Sequence, residues 1–195
     1  MRNEFTITVY TENQVGLLGR IAMIFTRRKI NILSLNTSPS ESEDIFRFTI
    51  VITETEDVVR KLVRQIEKQV EVLKAYFHTN DEIVWQEMAL YKVPTDIIAE
   101  KVVVERLLRA HGARVVAIRH DYTVFEVTGH REETETLIGV LEPYGLIEFV
   151  RSARIAIIKG SHDFHDRLRE FEESEPGESA VSNEFLNQRE GVFSM

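Results

Sequence analysis

An α+β chain made of two tandem βαββαβ sandwiches is what the sequence predicts, on three observations. Short runs alternate apolar and polar residues, as where Phe5, Ile7 and Val9 interleave with Thr6, Thr8 and Tyr10, and that period of two belongs to a strand with one face buried. Between such runs the apolar spacing becomes helical, as in Val59, Leu62, Val63 and Ile66, which places all four on one side of a helix. The same order of runs then occurs twice between residues 1 and 160. Four antiparallel strands with two helices on one face bury the apolar sides of each such set.

In the first half, Phe5 to Tyr10 form the first strand. The helix expected from Val15 to Arg28 has an inward stripe of Leu18, Ile21, Ala22 and Phe25, with Leu17 and Ile24 as apolar groups outside it. Residues 31–38 form a second strand, and Pro39-Ser40-Glu41-Ser42-Glu43 has the composition of a hairpin loop. Phe46, Phe48, Ile50 and Ile52 alternate along the third strand, the helix around Val59 to Ile66 follows, and Val70 to Thr79 is the fourth strand. The second half opens with a strand from Glu82 to Val93, and Pro94-Thr95-Asp96 starts a helix that runs to about His111 and stops at Gly112. Ala113 to His120 and Tyr122 to Gly129 are two strands turning at Asp121. Arg131 to Tyr144 is a helix with Leu137, Ile138 and Leu141 inward, and Gly145 precedes one last strand through Lys159. The expected organisation is therefore a domain over residues 1–79, a second over 80–160 with the boundary near Asn80-Asp81, and an acidic, mobile tail over 161–195.

Charge and composition narrow the function. The net charge is −8, and the last 35 residues hold 9 acidic against 3 basic side chains. Without a broad basic face the chain lacks the usual source of affinity for a phosphate backbone, so no nucleic-acid partner is expected. There are no cysteines, which removes disulfides, thiolate metal sites and a Cys nucleophile. No apolar run approaches the ~20 residues that cross a bilayer, and Met1 to Phe5 pass directly into the first alternating run without a signal-peptide pattern. A cytoplasmic protein without membrane attachment is the expectation.

Enzymatic constellations are absent from the sequence. There is no Gly-x-Ser-x-Gly elbow, no phosphate loop ending in Gly-Lys and no dinucleotide fingerprint. His162 and His165, with Asp163 and Asp166 beside them, could place metal ligands on one helical turn, but they lie in the acidic tail and lack a third ligand. His78, His111, His120 and His130 fall at element ends, where capping or exposure is their expected use. Phe46 and Phe48 occupy the strand that carries stacking aromatics in RNA-binding sandwiches, yet Asp44-Ile45-Phe46-Arg47-Phe48 lacks that motif's glycines and basic entry, so both are assigned to the core.

The most informative stretch is Thr11-Glu12-Asn13-Gln14-Val15-Gly16-Leu17-Leu18-Gly19-Arg20. A glycine in the first turn of a helix lets a ligand approach the unpaired amides there, and those amides favour an anion such as an amino acid's carboxylate. Asn13 could instead cap the helix, Gly16 could relieve crowding against the next strand, and Asn31 could supply the left-handed residue that ends the helix.

Taken together, Glu12-Asn13-x-x-Gly16-x-Leu18-x-Arg20, Phe25, Arg27-Arg28 and Asn31-Ile32-x-Ser34-Leu35 resemble the amino-terminal ACT domain of the acetolactate synthase small, regulatory subunit. Glu87 to Val93, Tyr122 to Gly129 and Tyr144 to Ser152 are similar to that family's carboxy-terminal domain. The resemblance covers about residues 2–159 and implies two ferredoxin-like domains, the first an ACT domain. An ACT domain alone would mark a generic amino-acid sensor, and the second domain narrows the reading. A small ferredoxin-like acyl-phosphate hydrolase would need an Arg and an Asn on a phosphate loop, and no such constellation occurs beyond this first turn.

The resemblance implies a subunit with no catalytic residues and no cofactor of its own. It implies pairing of ACT domains into a homodimer or higher even oligomer, with valine or a related branched-chain amino acid at the interface. Asn13 and the amides around Gly16, Leu17 and Leu18 would hold the effector's polar groups, while Asn31 and Ile32 of the partner subunit close the site. It also implies a large catalytic subunit that uses thiamine diphosphate, magnesium and FAD to condense pyruvate with a second 2-oxo acid. This chain would activate that subunit and confer feedback inhibition at the head of branched-chain amino acid synthesis. The family usually has Pro or Ser at Val15, Ser at Gly19, Gly-Tyr at Lys29-Ile30, Glu at Leu33 and Gly at Ala153, and Leu33 and Asn36 fall close to the implied effector site.

Overall fold

The computed structural model describes residues 1–41, 44–100 and 102–160, which form one compact unit. The expected tail over 161–195, with its His162 and His165 pair, lies outside the described residues, as does the hairpin-loop pair Ser42 and Glu43. Two antiparallel sheets carry the chain. The first contains β1 (Asn3–Glu12), β2 (Ser34–Pro39), β3 (Ile45–Glu54) and β4 (Val72–Thr79) in the order β2-β3-β1-β4, with helices α1 (Leu17–Arg27) and α2 (Glu56–Ile66). A 3-10 turn, Asn80–Glu82, leads into β5 (Ile83–Pro94). Helices α3 (Thr95–Glu100) and α4 (Val102–Ala110) flank residue 101, and β6 (Arg114–Ile118), β7 (Tyr122–Gly129), α5 (Arg131–Leu141), β8 (Glu148–Arg151) and β9 (Ile155–Ile158) follow. The second sheet runs β6-β7-β5-β8, with β9 also on β5. Both sheets thus have the strand order of the ferredoxin-like fold that the sequence predicts.

Phe5, Ile7 and Val9 face α1 and α2 and pack with Ile21, Phe25 and Leu62, all essentially buried. The second core sets Ala89, Tyr91 and Val93 of β5 against Val104, Leu108 and Leu137. Gly112 at φ +68 ends α4 as expected, since only a residue without a Cβ enters that region freely.

Four expectations change. The stripe of α1 that enters the core is Leu17, Ile21, Ile24 and Phe25, whereas Leu18 is 43% exposed. The i, i+4, i+7, i+8 spacing aligns that set on one helical face, so Leu18 and Met23 are the apolar groups left outside. The first strand, expected to bury one face, buries both: Thr6, Thr8 and Tyr10 are at most 4% exposed. Thr6 is covered from the second half of the chain, where buried Arg154 donates to its Oγ1 at 3.0 Å, and Tyr10 lies against Tyr76 and Arg47. The third change concerns the last strand, which is two strands. Ser152 interrupts it, donating its N–H to Met88 O at 2.8 Å and accepting the Met88 N–H on its hydroxyl at 2.9 Å. Before the interruption β8 pairs with Ala89 to Lys92, and after it β9 pairs with Ile83 to Gln86. Finally, the left-handed residue after α1 is Lys29 at φ +56, not Asn31.

Candidate effector site

The site is assembled where β1 passes into α1. β1 and β4 shift register between Tyr10 and Thr11, where Tyr10 opposes Lys74 and Thr11 opposes Val72. Such a bulge re-aims the strand end. The chain then turns over Asn13, whose N–H donates to Asp44 O at 3.1 Å, and enters α1 at Gly16, φ +84. Gly16 is the N-cap and makes no side-chain cap bond, so the capping role considered for Asn13 is not the one seen. Nor does Gly16 relieve crowding, because a Cβ there would have no heavy atom within 4 Å. Its requirement is the positive φ alone.

Arg20 N–H to Gly16 O, at 3.2 Å, is the first full helical bond of α1. The amides of Leu18 and Gly19 precede it and have no partner within the helix. No acidic residue occupies the first turn, which keeps this positive end of the helix free to attract an anion. Arg20 is held aside by Glu71 at 2.7 Å. Glu71's own backbone amide, with Arg20, holds its carboxyl below the usual carboxylate range.

The start of α1 opens on a cavity of about 170 Å³. Asn13, Gly16, Leu17 and Leu18, four of the six residues singled out in the sequence, line it. Thr11, Glu12 and Gln14 complete the rim, and Thr37, Phe46 and Phe48 form the wall from β2 and β3. Thr11 is fully buried, and among the described residues its hydroxyl oxygen has no hydrogen-bond partner. This hydroxyl stands beside the Leu18 and Gly19 amides, which likewise lack a partner within the helix. Glu12 carries the one carboxylate of this lining and accepts from Gln14 Nε2 at 3.1 Å. The cavity therefore offers donors for a carboxylate and an acceptor for an ammonium group.

Asn31 and Ile32 do not reach it within one chain. Asn31 is exposed just beyond the opposite end of α1, and Ile32 packs against the first core. Asn36, expected beside this site, lies on the other face of the sheet, because alternate residues of β2 face opposite ways and Thr37 takes the effector side. Thr11, Glu12 and Gln14 belong to the stretch singled out in the sequence but not to the expected effector-binding residues, although their adjacency to Asn13 was the signal available. Thr37 and Phe46 come in by strand register, which no local pattern encodes.

Family models match both halves of the chain. Residues 7–74 match the AHAS small subunit-like ACT domain, and residues 86–160 match the family described as small subunit of acetolactate synthase. The acetolactate synthase small subunit of Bacillus subtilis is 35% identical over 162 residues, spanning 83% of this chain and 92% of the relative. The chain belongs to the acetolactate synthase small-subunit family. The small subunit of Mycolicibacterium smegmatis is 32% identical over 155 residues, covering 80% of this chain and 91% of its own. The crystal structure of the acetolactate synthase small subunit from Thermotoga maritima shares the family fold with a TM-score of 0.73 at 25% identity, over 82% of this chain and 99% of that one. The cavity at the start of α1 thus belongs to the ACT domain of this small subunit.

Proposed function

We propose that this chain activates an acetolactate synthase catalytic subunit and makes it sensitive to valine or another branched-chain amino acid, which binds in the cavity at the start of α1. The observation that carries this reading is the pairing, in a chain of this family, of unpartnered helix amides with a buried, unpartnered Thr11 hydroxyl in one cavity. The amino acid's carboxylate would accept from the Leu18 and Gly19 amides, Asn13 and Thr11, and its ammonium would donate to Glu12. Its branched side chain would lie against Leu17, Phe46 and Phe48. Asn31 and Ile32 of the partner subunit would close the open side, in a homodimer or higher even oligomer built on the ACT domains of residues 1–79. Exposed Leu18 and Met23 support such a contact, since pairing would bury them.

The chain itself would supply no catalytic residue, and residues 80–160 would form the second domain. The catalytic partner would carry thiamine diphosphate, magnesium and FAD, and the complex would work in the cytoplasm. Inhibition then requires only that the amino acid bind two arrangements of the pair unequally, and a coupling of roughly 1–3 kcal/mol is typical of such regulation.

The test is acetolactate formation from pyruvate by the same organism's large subunit, with and without this chain, across a valine titration. Stimulation that valine reverses is expected. Stimulation without inhibition would retain the partner and move the effector to leucine or isoleucine, and no stimulation of an active large subunit would replace this reading with a free-standing amino-acid sensor. Asn31→Asp is expected to abolish inhibition while leaving stimulation in place.

A further inference from the structure

A second cavity, of about 360 Å³, lies on the other side of the first sheet. The same two strands build both sites from alternate residues: Thr37, Phe46 and Phe48 face the effector cavity, whereas Asn36, Ser38, Arg47 and Thr49 face the second. Its opposite wall is apolar and comes from β5 and β9, chiefly Trp85, Ile155 and Ile157.

Arg47 gives this cavity its chemistry. One guanidinium nitrogen donates to the Ala156 carbonyl, which fixes the side chain between β3 and β9. The Nε is buried, with no acceptor among the described residues. No carboxylate among those residues pairs with Arg47, and none occurs in the lining. Arg47 is half-buried, with its guanidinium 5.8 Å from the centre of the Tyr10 ring, and it brings to a partly apolar cavity a positive charge that no carboxylate of the lining neutralises. Asn36, Ser38 and Thr49 add polar groups beside it, and Ile155 and Ile157 offer an aliphatic wall.

From this we infer that the cavity binds a small aliphatic carboxylate that has no ammonium group, of the α-keto acid type. The contrast with the effector cavity sets this preference. That cavity pairs free amides with the Glu12 carboxylate, which suits an amino acid, whereas the second offers a cation and no anion. An amino acid would bring an ammonium group into the neighbourhood of Arg47 without a carboxylate to receive it. An α-keto acid brings only acceptors, one of which can take a hydroxyl or amide donor.

Trp85 lines the cavity and is the only tryptophan of the chain, so its fluorescence reports on this place. The experiment titrates the full-length chain with isovalerate, which does not absorb the exciting light, and then measures α-ketoisovalerate and valine by calorimetric competition. A saturable Trp85 response is expected, with α-ketoisovalerate competing and valine weaker by about tenfold. Arg47→Gln is expected to weaken isovalerate by about tenfold or more through loss of the charge-assisted contact. Ser38→Leu, which fills the cavity without removing a charge, is expected to abolish the response and decides the matter if Arg47→Gln does not fold. Thr11→Ala, in the effector cavity, should leave it unchanged. The inference is overturned if isovalerate gives no saturable response in the millimolar range, or if the response survives Ser38→Leu in full. It is equally overturned if Thr11→Ala removes the response, or if valine binds at this site as tightly as its keto acid. None of these results depends on activation of a catalytic subunit, so failure here and failure of the regulatory reading remain distinguishable.

Discussion

Arg154 is 2% exposed and places its charge among groups from both halves of the chain. It donates to Glu4 Oε1 at 2.7 Å, to Asn80 Oδ1 and Thr6 Oγ1 at 3.0 Å each, and lies 3.5 Å from the centre of the Trp85 ring. Burial alone would raise the Glu4 carboxyl, but hydrogen bonds from Arg154 and Asn80 and the positive charge of Arg154 outweigh it and hold Glu4 below its ordinary value of 4.5. A depressed folded-state pKa means the unfolded chain takes up the proton first as pH falls. The contribution of this pair is therefore complete above pH 4.5 and is lost as pH drops below that value toward the folded-state pKa. Glu4→Gln is expected to be less stable than the natural chain at neutral pH, and the gap in urea midpoint should close as pH falls below 4.5. A gap that stayed constant through that window would remove the pair from the account.

Among the elements, α1 shows how its two ends are specified differently. Its start is set by Gly16 at φ +84, where glycine meets the backbone's need without strain. Its end places Lys29 at φ +56, with Lys29 N–H donating to Thr26 O and Ile30 N–H to Phe25 O, both at 3.0 Å. That is a Schellman pattern with a lysine at the left-handed position that glycine usually fills in such motifs. A left-handed conformation costs an ordinary residue about 1–2 kcal/mol, part of which glycine forfeits through its greater freedom in the unfolded chain. Lys29→Gly is accordingly expected to raise stability by about 0.5 kcal/mol, read as a higher urea midpoint with an unchanged slope. A lower midpoint would mean that the lysine side chain contributes more than its backbone costs.

For the whole molecule, β5 is the strand on which most else depends. Its first four residues pair with β9 and its later ones with β7 and β8, and Trp85 on the β9 side stacks with His130 at a centroid distance of 4.2 Å. Through Arg154 and the bond from Arg47 to Ala156, this region covers the helix-free face of the first sheet. The two sheets are therefore expected to unfold together, with Trp85 fluorescence and far-ultraviolet circular dichroism giving one urea transition. Arg154→Met should cost about 2 kcal/mol, below the range for a fully enclosed ion pair because the Glu4 side chain is one-third exposed. It should also move the fluorescence transition to lower urea than the dichroism. Coincident transitions in that variant would show that Arg154 does not join the halves.

Periodicity was enough for the two βαββαβ sets, the antiparallel sheets and the helix-facing residues Phe5, Ile7, Val9, Leu137 and Leu141, because local alternation and helical spacing determine which side of an element is apolar. The turn from Glu12 to Arg20, with its glycine, lies where the structure has a cavity at the start of α1. Only the tertiary structure decided that Leu17 rather than Leu18 enters the core, that the final strand divides at Ser152, and that Thr6, Thr8 and Tyr10 are covered. It also decided that Asn36 and Thr37 face different cavities. The burial of Thr6 and the division at Ser152 depend on partners distant in the chain: Arg154 lies 148 residues from Thr6, and Ser152 lies 64 from Met88. A polar strand face has the same sequence pattern whether water or a buried guanidinium covers it, so periodicity cannot tell the two apart.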